Sequence, residues 1–181
     1  MKISVIGCGR WGSFIAWYLD RQRHDVTVYG LADADTFIEL RDKRTNGLIT
    51  YPDSIKLTTD ISCLKDSETV IISIGSQGLR SLMSEIKALD LNNKNFVLCM
   101  KGIEIGTGCR LTEIVEEYLA PSNTVSVWIG PGHVQEFARG IPNCMVIDCE
   151  KDEVKKMLVN EFSSTLIRMY IGTDLIGSEI G

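Results

Sequence analysis

The chain has 181 residues, of which 44% are hydrophobic, and its formal net charge at pH 7 is −5. A chain of this length buries a core without disulfides or metals, which predicts one globular domain. The lack of a basic stripe argues against a nucleic-acid partner. No apolar run reaches the roughly 18 residues of a membrane span, and no signal peptide precedes the first predicted strand. We therefore expect a cytoplasmic protein without a membrane span.

Six cysteines are spread along the sequence without the close pairing that zinc sites need. Cys8, Cys99, Cys144 and Cys149 fall in apolar, strand-like stretches. Buried free thiols are therefore expected rather than disulfides or metal ligands, and no metal site is predicted.

The first predicted strand, residues 2–6, leads into the sequence Gly7-Cys-Gly9-Arg-Trp-Gly12 and then into a helical pattern. A G-x-G-x-x-G loop between a strand and a helix is typical of dinucleotide-binding folds. Gly7 is expected to allow the tight turn, Gly9 to admit the pyrophosphate, and Gly12 to let helix and strand pack closely. The N-terminus of the helix then offers N–H donors and partial positive charge to the anion. A purely structural glycine turn is the alternative.

Short apolar runs alternate with helical patterns along the rest of the chain. Candidate strands lie at residues 2–6, 25–29, 55–58, 69–74, 95–100, 124–129, 144–149 and 167–171. Candidate helices lie at residues 11–23, 34–43, 78–89, 109–119, 133–139 and 151–163. This alternation predicts an α/β, Rossmann-like fold with a doubly wound, largely parallel sheet.

The end of the second predicted strand bears on the choice between NAD and NADP. An acidic residue about 20 residues past the glycines binds the ribose of NAD, whereas a basic one accommodates the 2′-phosphate of NADP. Residues 29–33 read Tyr-Gly-Leu-Ala-Asp, so neither an acidic nor a basic residue stands directly at the tip of the strand. Asp33 and Asp35 follow slightly later, and they fit equally well as the cap and first turn of the next helix. The prediction is NAD or NADP, with a weak preference for NAD.

Four motifs occur in the order and spacing of NAD(P)-dependent glycerol-3-phosphate dehydrogenases, and the chain resembles the N-terminal, cofactor-binding half of that family. The motifs are the glycine loop, Met-Lys-Gly-Ile-Glu at 100–104, Gly-Pro-Gly-His-Val-Gln-Glu at 130–136 with Ala-Arg-Gly-Ile-Pro at 138–142, and Asp-Leu-Ile-Gly-Ser-Glu-Ile-Gly at 174–181. The resemblance implies that residues 1–181 form the dinucleotide-binding domain and end just before a helical substrate domain, which is absent from this chain.

The activity implied by the resemblance is the interconversion of sn-glycerol 3-phosphate and dihydroxyacetone phosphate by hydride transfer with NAD(P). That reaction supplies precursors of glycerophospholipids. The resemblance is also compatible with a homodimer of the full-length protein. Two alternatives stay open at this point: a non-catalytic dinucleotide-binding module, and a related β-hydroxyacid dehydrogenase such as a ketopantoate reductase.

The resemblance also assigns roles to individual residues. Cofactor contacts are implied for Gly7, Gly9, Arg10, Trp11, Gly12, Leu31, Ser76, Lys101 and Val134. Substrate contacts are implied for Lys101, Gly130 and Gly132. Two of these residues have a second interpretation, because Trp11 fits a core anchor at the helix start and Ser76 fits a helix N-cap.

Lys101 is the candidate catalytic residue, because a fixed cation at the end of a buried strand can stabilise the alkoxide-like oxygen of hydride transfer. In the family, the principal acid–base lysine follows the motif that ends here at Gly181, so the chain alone is expected to be inactive. Glu104 is interpreted as a structural acid. His133 stands where the family carries an aromatic residue, and we interpret it as a packing or hydrogen-bonding substitute.

Overall fold

A computed structural model describes residues 1–181, in which eight strands alternate with seven α-helices. The strands are β1 Lys2–Ile6, β2 Asp25–Tyr29, β3 Lys56–Thr58, β4 Thr69–Ile72, β5 Asn95–Leu98, β6 Thr124–Ile129, β7 Asn143–Cys149 and β8 Ile167–Ile171. The helices are α1 Arg10–Arg21, α2 Asp35–Lys43, α3 Leu79–Lys87, α4 Leu111–Tyr118, α5 Val134–Ala138, α6 Asp152–Phe162 and α7 Leu175–Ile180. Two 3-10 helices lie at Ile61–Asp66 and Ser76–Gly78. None of the helices has the length and apolar character that crossing a bilayer requires.

All eight strands form one sheet in the order β3-β2-β1-β4-β5-β6-β7-β8. Every neighbouring pair is parallel except β6 and β7, which run antiparallel. The first six strands of this sheet have the order of a dinucleotide-binding fold, whose topological switch point lies between β1 and β4. The predicted Rossmann-like, largely parallel sheet is confirmed.

Helices cover both faces of the sheet, so successive strand residues bury themselves on opposite sides. Val70 and Ile72 of β4 pack with α3 and α4, whereas Ile71 belongs to the core on the side of α1 and α6. This alternation within a fully apolar strand is what a sheet buried on both faces requires.

Several predicted boundaries differ from the structure. Strands β4 and β5 end two residues before the predicted positions, at Ile72 and Leu98. Helix α7 was not predicted, because its six residues are too few to show a periodic pattern. Its start is nevertheless marked in the sequence, since the Asp174 side chain accepts a 2.9 Å hydrogen bond from the Gly177 amide.

The six cysteines are free thiols, as the sequence predicted. Cys8 and Cys149 are buried and Cys99 is half-buried, but the prediction of burial was wrong for Cys144, which is exposed. The reason is the face of the strand, because Cys144 points away from the side on which Met145 and Ile147 are buried, and the first buried residue on its own side of β7 is Asp148. No group of three potential metal-ligating side chains occurs in the structure.

Tyr18 joins α1 to the far end of the sheet through a buried hydroxyl. Its side chain is fully buried, and the hydroxyl donates a 2.6 Å hydrogen bond to the Phe162 carbonyl at the end of α6. The Ser164 hydroxyl oxygen lies 2.8 Å from the Tyr18 hydroxyl oxygen. Burial raises the pKa of Tyr18 to about 12, so it remains a neutral donor.

Replacing Tyr18→Phe is expected to lower the free energy of unfolding by about 1–2 kcal/mol, because the Phe162 carbonyl loses its donor inside the protein. Urea denaturation measures this loss. Tyr170→Phe is the matched control, since Tyr170 is 46% exposed and its loss of a hydroxyl should leave stability unchanged. Equal midpoints for the two variants would contradict a stabilising role for the Tyr18 hydroxyl.

Candidate functional site

The glycine loop makes a tight turn in which two of its glycines lie directly against backbone carbonyl groups. Gly7 has a φ of +110°, and a Cβ atom there would lie 2.1 Å from the Ser73 carbonyl oxygen. A Cβ atom at Gly12 would lie 2.2 Å from the Gly7 carbonyl oxygen. Neither position tolerates a side chain, so the turn out of β1 and the packing of α1 both depend on glycine.

Gly9 differs, because the fold itself does not require glycine there. Its φ is −68°, and a Cβ atom would meet nothing within 4 Å. Gly9 is the N-cap of α1, and no side chain caps that helix. The first-turn amides of α1 therefore point into open space, where an anion can approach them.

A cleft of about 500 Å³ opens beside the loop, between the carboxyl ends of β1, β2 and β4. Its walls are mainly backbone and apolar side chains, and Glu85 is the charged residue among them. The lining residues are Ile6, Gly7, Cys8, Tyr29, Gly30, Leu31, Ala34, Thr36, Ile74, Gly75, Gly78, Ser81, Leu82 and Glu85. Leu31 is 60% exposed there, which leaves its side chain free for an apolar contact. Burial raises the pKa of Cys8 to about 12, which keeps this thiol protonated.

The two aspartates after β2 lie outside this cleft. Asp35 begins α2, as one interpretation predicted, but the N-cap is Ala34 and no side chain caps the helix. The prediction that Asp33 caps α2 was therefore wrong. Asp33 is exposed and does not line the cleft, so the structure offers no carboxylate at the strand tip.

A second cavity, of about 170 Å³, lies on the other side of the glycine loop. It brings together residues from three separate motifs: Trp11, Lys101, and the pair Gly130 and Gly132. Lys101 follows β5 at the carboxyl edge of the sheet, and its Nζ donates to the backbone oxygen of Gly181. The sequence motifs thus converge on one edge, as the predicted topology requires.

Trp11 fits the core-anchor interpretation, and its contact with a cofactor stays a prediction. Its ring lies 5.5 Å from that of Phe14, centroid to centroid, and packs against the core, while another part lines the second cavity. Arg10 precedes it as the first residue of α1 and is exposed.

The interpretation of His133 as a packing substitute was wrong. His133 is exposed and makes no capping hydrogen bond at the start of α5. Phe137 is the packed aromatic instead, since its ring stacks on Phe14 at 5.2 Å and 9°. A Cβ atom at Gly132 would lie 2.2 Å from this ring, so residue 132 can contribute only backbone.

Sequence reasoning missed Phe137, although a signal was present. Phe137 follows Val134 by three residues, which places both on the inner face of α5. Val134 itself is 5% exposed and packs in the core without lining the second cavity, which leaves its backbone as the group available to a ligand.

Ser76 lies at the same edge but does not cap a helix. It begins a 3-10 helix whose N-cap is Gly75, and Gly78 precedes α3. A Cβ atom at Gly102 would lie 3.3 Å from the Ser76 hydroxyl oxygen. The N-cap interpretation was wrong, and Ser76 instead lies against the segment that follows Lys101.

Glu104 is a structural acid, as interpreted from the sequence. Its carboxylate is held by Arg80 at 2.8–3.0 Å and accepts a 2.6 Å hydrogen bond from Thr107. The Arg80 guanidinium holds the pKa of Glu104 below its ordinary value. Arg80 also pairs with Glu117, so the loop after Lys101 is fastened to α3 and α4.

Comparison with known proteins places this architecture in a family. Residues 2–155 match the family model described as the N-terminus of NAD-dependent glycerol-3-phosphate dehydrogenase. The chain is 35% identical to glycerol-3-phosphate dehydrogenase [NAD(P)+] of Thermoanaerobacter sp., over all of this chain and 55% of that protein. It is 32% identical to the enzyme of the same name from Pelodictyon phaeoclathratiforme, over 99% of this chain and 56% of that protein.

Solved structures show the same fold. Glycerol-3-phosphate dehydrogenase from Coxiella burnetii superposes with a TM-score of 0.89 at 22% identity, over 98% of this chain and 55% of that one. The chain spans about half the length of the curated relatives it matches. Because the family model matches most of its residues, the chain belongs to the family of NAD-dependent glycerol-3-phosphate dehydrogenase N-terminal domains.

Proposed function

We propose that this chain is the cofactor-binding part of an enzyme that interconverts sn-glycerol 3-phosphate and dihydroxyacetone phosphate with NAD or NADP. The observation that carries the proposal is the convergence at one sheet edge of the uncapped α1 N-terminus and Lys101 with Gly130 and Gly132. The names of the matched relatives support the same reaction. Residues 1–181 would be the dinucleotide-binding domain, and a helical substrate domain would account for the remaining length of the relatives.

The residues at this edge fit a dinucleotide. Gly9 leaves the first-turn amides of α1 open to a pyrophosphate, and the cleft beside Leu31 has the apolar walls that an adenosine needs. Arg10 and Ser76 would add polar contacts, and Trp11 would form the wall between the cleft and the second cavity. The nicotinamide, when bound, supplies or accepts the hydride.

NAD is the better fit of the two cofactors. The cleft beside Leu31 contains no arginine or lysine, and its charged lining residue is Glu85. A carboxylate in this cleft would repel the 2′-phosphate of NADP, whereas NAD brings no additional phosphate into it.

Lys101 would act as a fixed cation in the second cavity. Its ammonium group would hold the substrate oxygen whose negative charge grows during hydride transfer, while the Gly130 and Gly132 backbone would position the substrate. The acid–base group that moves the proton would come from the part of the relatives beyond this chain. A cytoplasmic location stays a prediction from the sequence composition, and a homodimer stays a prediction of the resemblance.

Gly9→Ala and Gly12→Ala are expected to separate binding from folding. Gly9→Ala places a methyl group where the pyrophosphate must approach, so the NADH dissociation constant should rise about tenfold or more, which corresponds to about 1.4 kcal/mol. Its free energy of unfolding should change by less than about 1 kcal/mol. Gly12→Ala should lose about 1–3 kcal/mol of stability, because its methyl meets the Gly7 carbonyl.

Calorimetric titration with NADH and NADPH, together with urea denaturation, measures both effects. Unchanged NADH affinity in Gly9→Ala would refute the pyrophosphate assignment. Absence of binding by the unsubstituted chain would refute the proposal that this chain binds the cofactor on its own.

Lys101→Met should affect the reaction more than cofactor binding, because the cation faces the substrate side of the loop. In a polypeptide that extends to the length of the relatives, kcat should fall by about 100-fold. The NADH dissociation constant should change by less than about threefold, equivalent to about 0.6 kcal/mol. Steady-state kinetics and calorimetry measure the two quantities.

Lys156→Met is the control for that substitution, since the Lys156 side chain is exposed on α6 and its ammonium group makes no hydrogen bond. It should leave both quantities unchanged. Losses of equal size in turnover and cofactor affinity for Lys101→Met would remove Lys101 from the substrate side of the site.

A further inference from the structure

Helix α7 is short, yet two buried carboxylates hold it at the carboxyl edge of the sheet. It contains six residues, too few to be stable without tertiary contacts. Asp148 is 2% exposed and Glu179 is fully buried. Because an unpaired buried carboxylate is strongly destabilising, the partners of these two groups define where α7 must lie.

Asp148 fastens the beginning of α7. Its carboxylate accepts a 3.0 Å hydrogen bond from the Asp174 amide and a 3.3 Å bond from the Ser178 hydroxyl. The Lys155 ammonium group lies 3.2 Å from the same carboxylate and donates to the Gly172 carbonyl at 2.9 Å. The segment that leads into α7 is therefore tied to β7 and α6.

Glu179 fastens the end of α7 to the start of α4. It accepts hydrogen bonds from the Thr112 amide at 2.6 Å and the Thr112 hydroxyl at 2.8 Å. The Arg110 guanidinium lies 3.2 Å away and also pairs with Glu113. Thr112 itself is 2% exposed, so these bonds form away from water.

These contacts form a closed path through Lys101. Ile103, which follows Lys101 by two residues, forms an antiparallel backbone bridge with Arg110. Glu179 binds Arg110, and two residues after Glu179 the backbone oxygen of Gly181 accepts from the Lys101 Nζ. The Lys101 side chain is exposed and is thus restrained by one contact with the end of α7, while the loop that follows it is joined to the same network through Arg110.

We propose that Glu179 is a positioning residue that fixes the end of α7 against Thr112 and Arg110, so that the Lys101 ammonium group stays in the cavity beside Gly130 and Gly132. The value of this position for catalysis rests on the proposed function. The position itself does not, because it follows from contacts within the chain.

The test is Glu179→Gln in this chain, read by two independent signals. Glutamine keeps one acceptor oxygen but places an NH₂ group against the Thr112 and Arg110 donors. Amide hydrogen exchange over residues 175–181 should accelerate at least about tenfold, since the helix loses its anchor. After reductive ¹³C-methylation, the Lys101 NMR signal, assigned with Lys101→Arg, should move toward the position of lysines whose ammonium group has no hydrogen-bond partner, such as Lys156.

Thr112→Val is a milder second variant, because it removes only the hydroxyl donor and keeps the amide bond. It should shift both signals in the same direction by less, which keeps the test valid if Glu179→Gln fails to fold. Glu153→Gln is the matched control, since Glu153 is exposed on α6 and should change neither signal.

An unmoved Lys101 signal in both Glu179→Gln and Thr112→Val would overturn the proposal, even if the amides of α7 exchange faster. Glu179 would then stabilise α7 without positioning Lys101. Neither readout needs a cofactor. The separate NADH titration of the unsubstituted chain tests the proposed function, so the two failures are distinguishable.

Discussion

The close approach of Gly7 to Ser73 is the contact on which the ligand edge depends. A side chain at Gly7 would collide with the Ser73 carbonyl oxygen at 2.1 Å, and the Gly7 amide donates to the Tyr29 carbonyl at 3.2 Å. The chain leaving β1 is therefore held between the ends of β2 and β4. Because the turn is fixed there, the N-terminus of α1 must emerge at the topological switch point of the sheet.

An aromatic cluster connects the N-terminus of α1 to the loop that lines the second cavity. Phe14 of α1 lies within 6 Å of Trp11, Tyr18 and Phe137, ring centroid to ring centroid. Stacked and tilted rings at such distances pack firmly and bring large apolar area into the core. Phe137 reaches across to the loop before α5 and fills the space of a side chain at Gly132. Helix α1 and the loop that lines the second cavity are thus parts of one packed unit.

Local pattern predicted the strands, the glycine loop and the fold class, because a sheet covered on both faces needs apolar runs and tight glycine turns. The same pattern could not predict features that long-range contacts decide. Cys144 is exposed because it lies on the less covered face of β7, and His133 is exposed because Phe137 takes the buried position. Helix α7 is held by Asp148 and Glu179, whose partners lie far away in the sequence. Polar burial of this kind leaves no periodic signal.

The candidate site is built mostly from backbone. Gly7, Gly9 and Gly12 present amides or close contacts on one side, and Gly130 and Gly132 present backbone on the other. Lys101 is the exception, because no backbone group carries a full positive charge, and its ammonium group is held by the backbone oxygen of Gly181. A backbone surface is defined by topology rather than by side-chain identity.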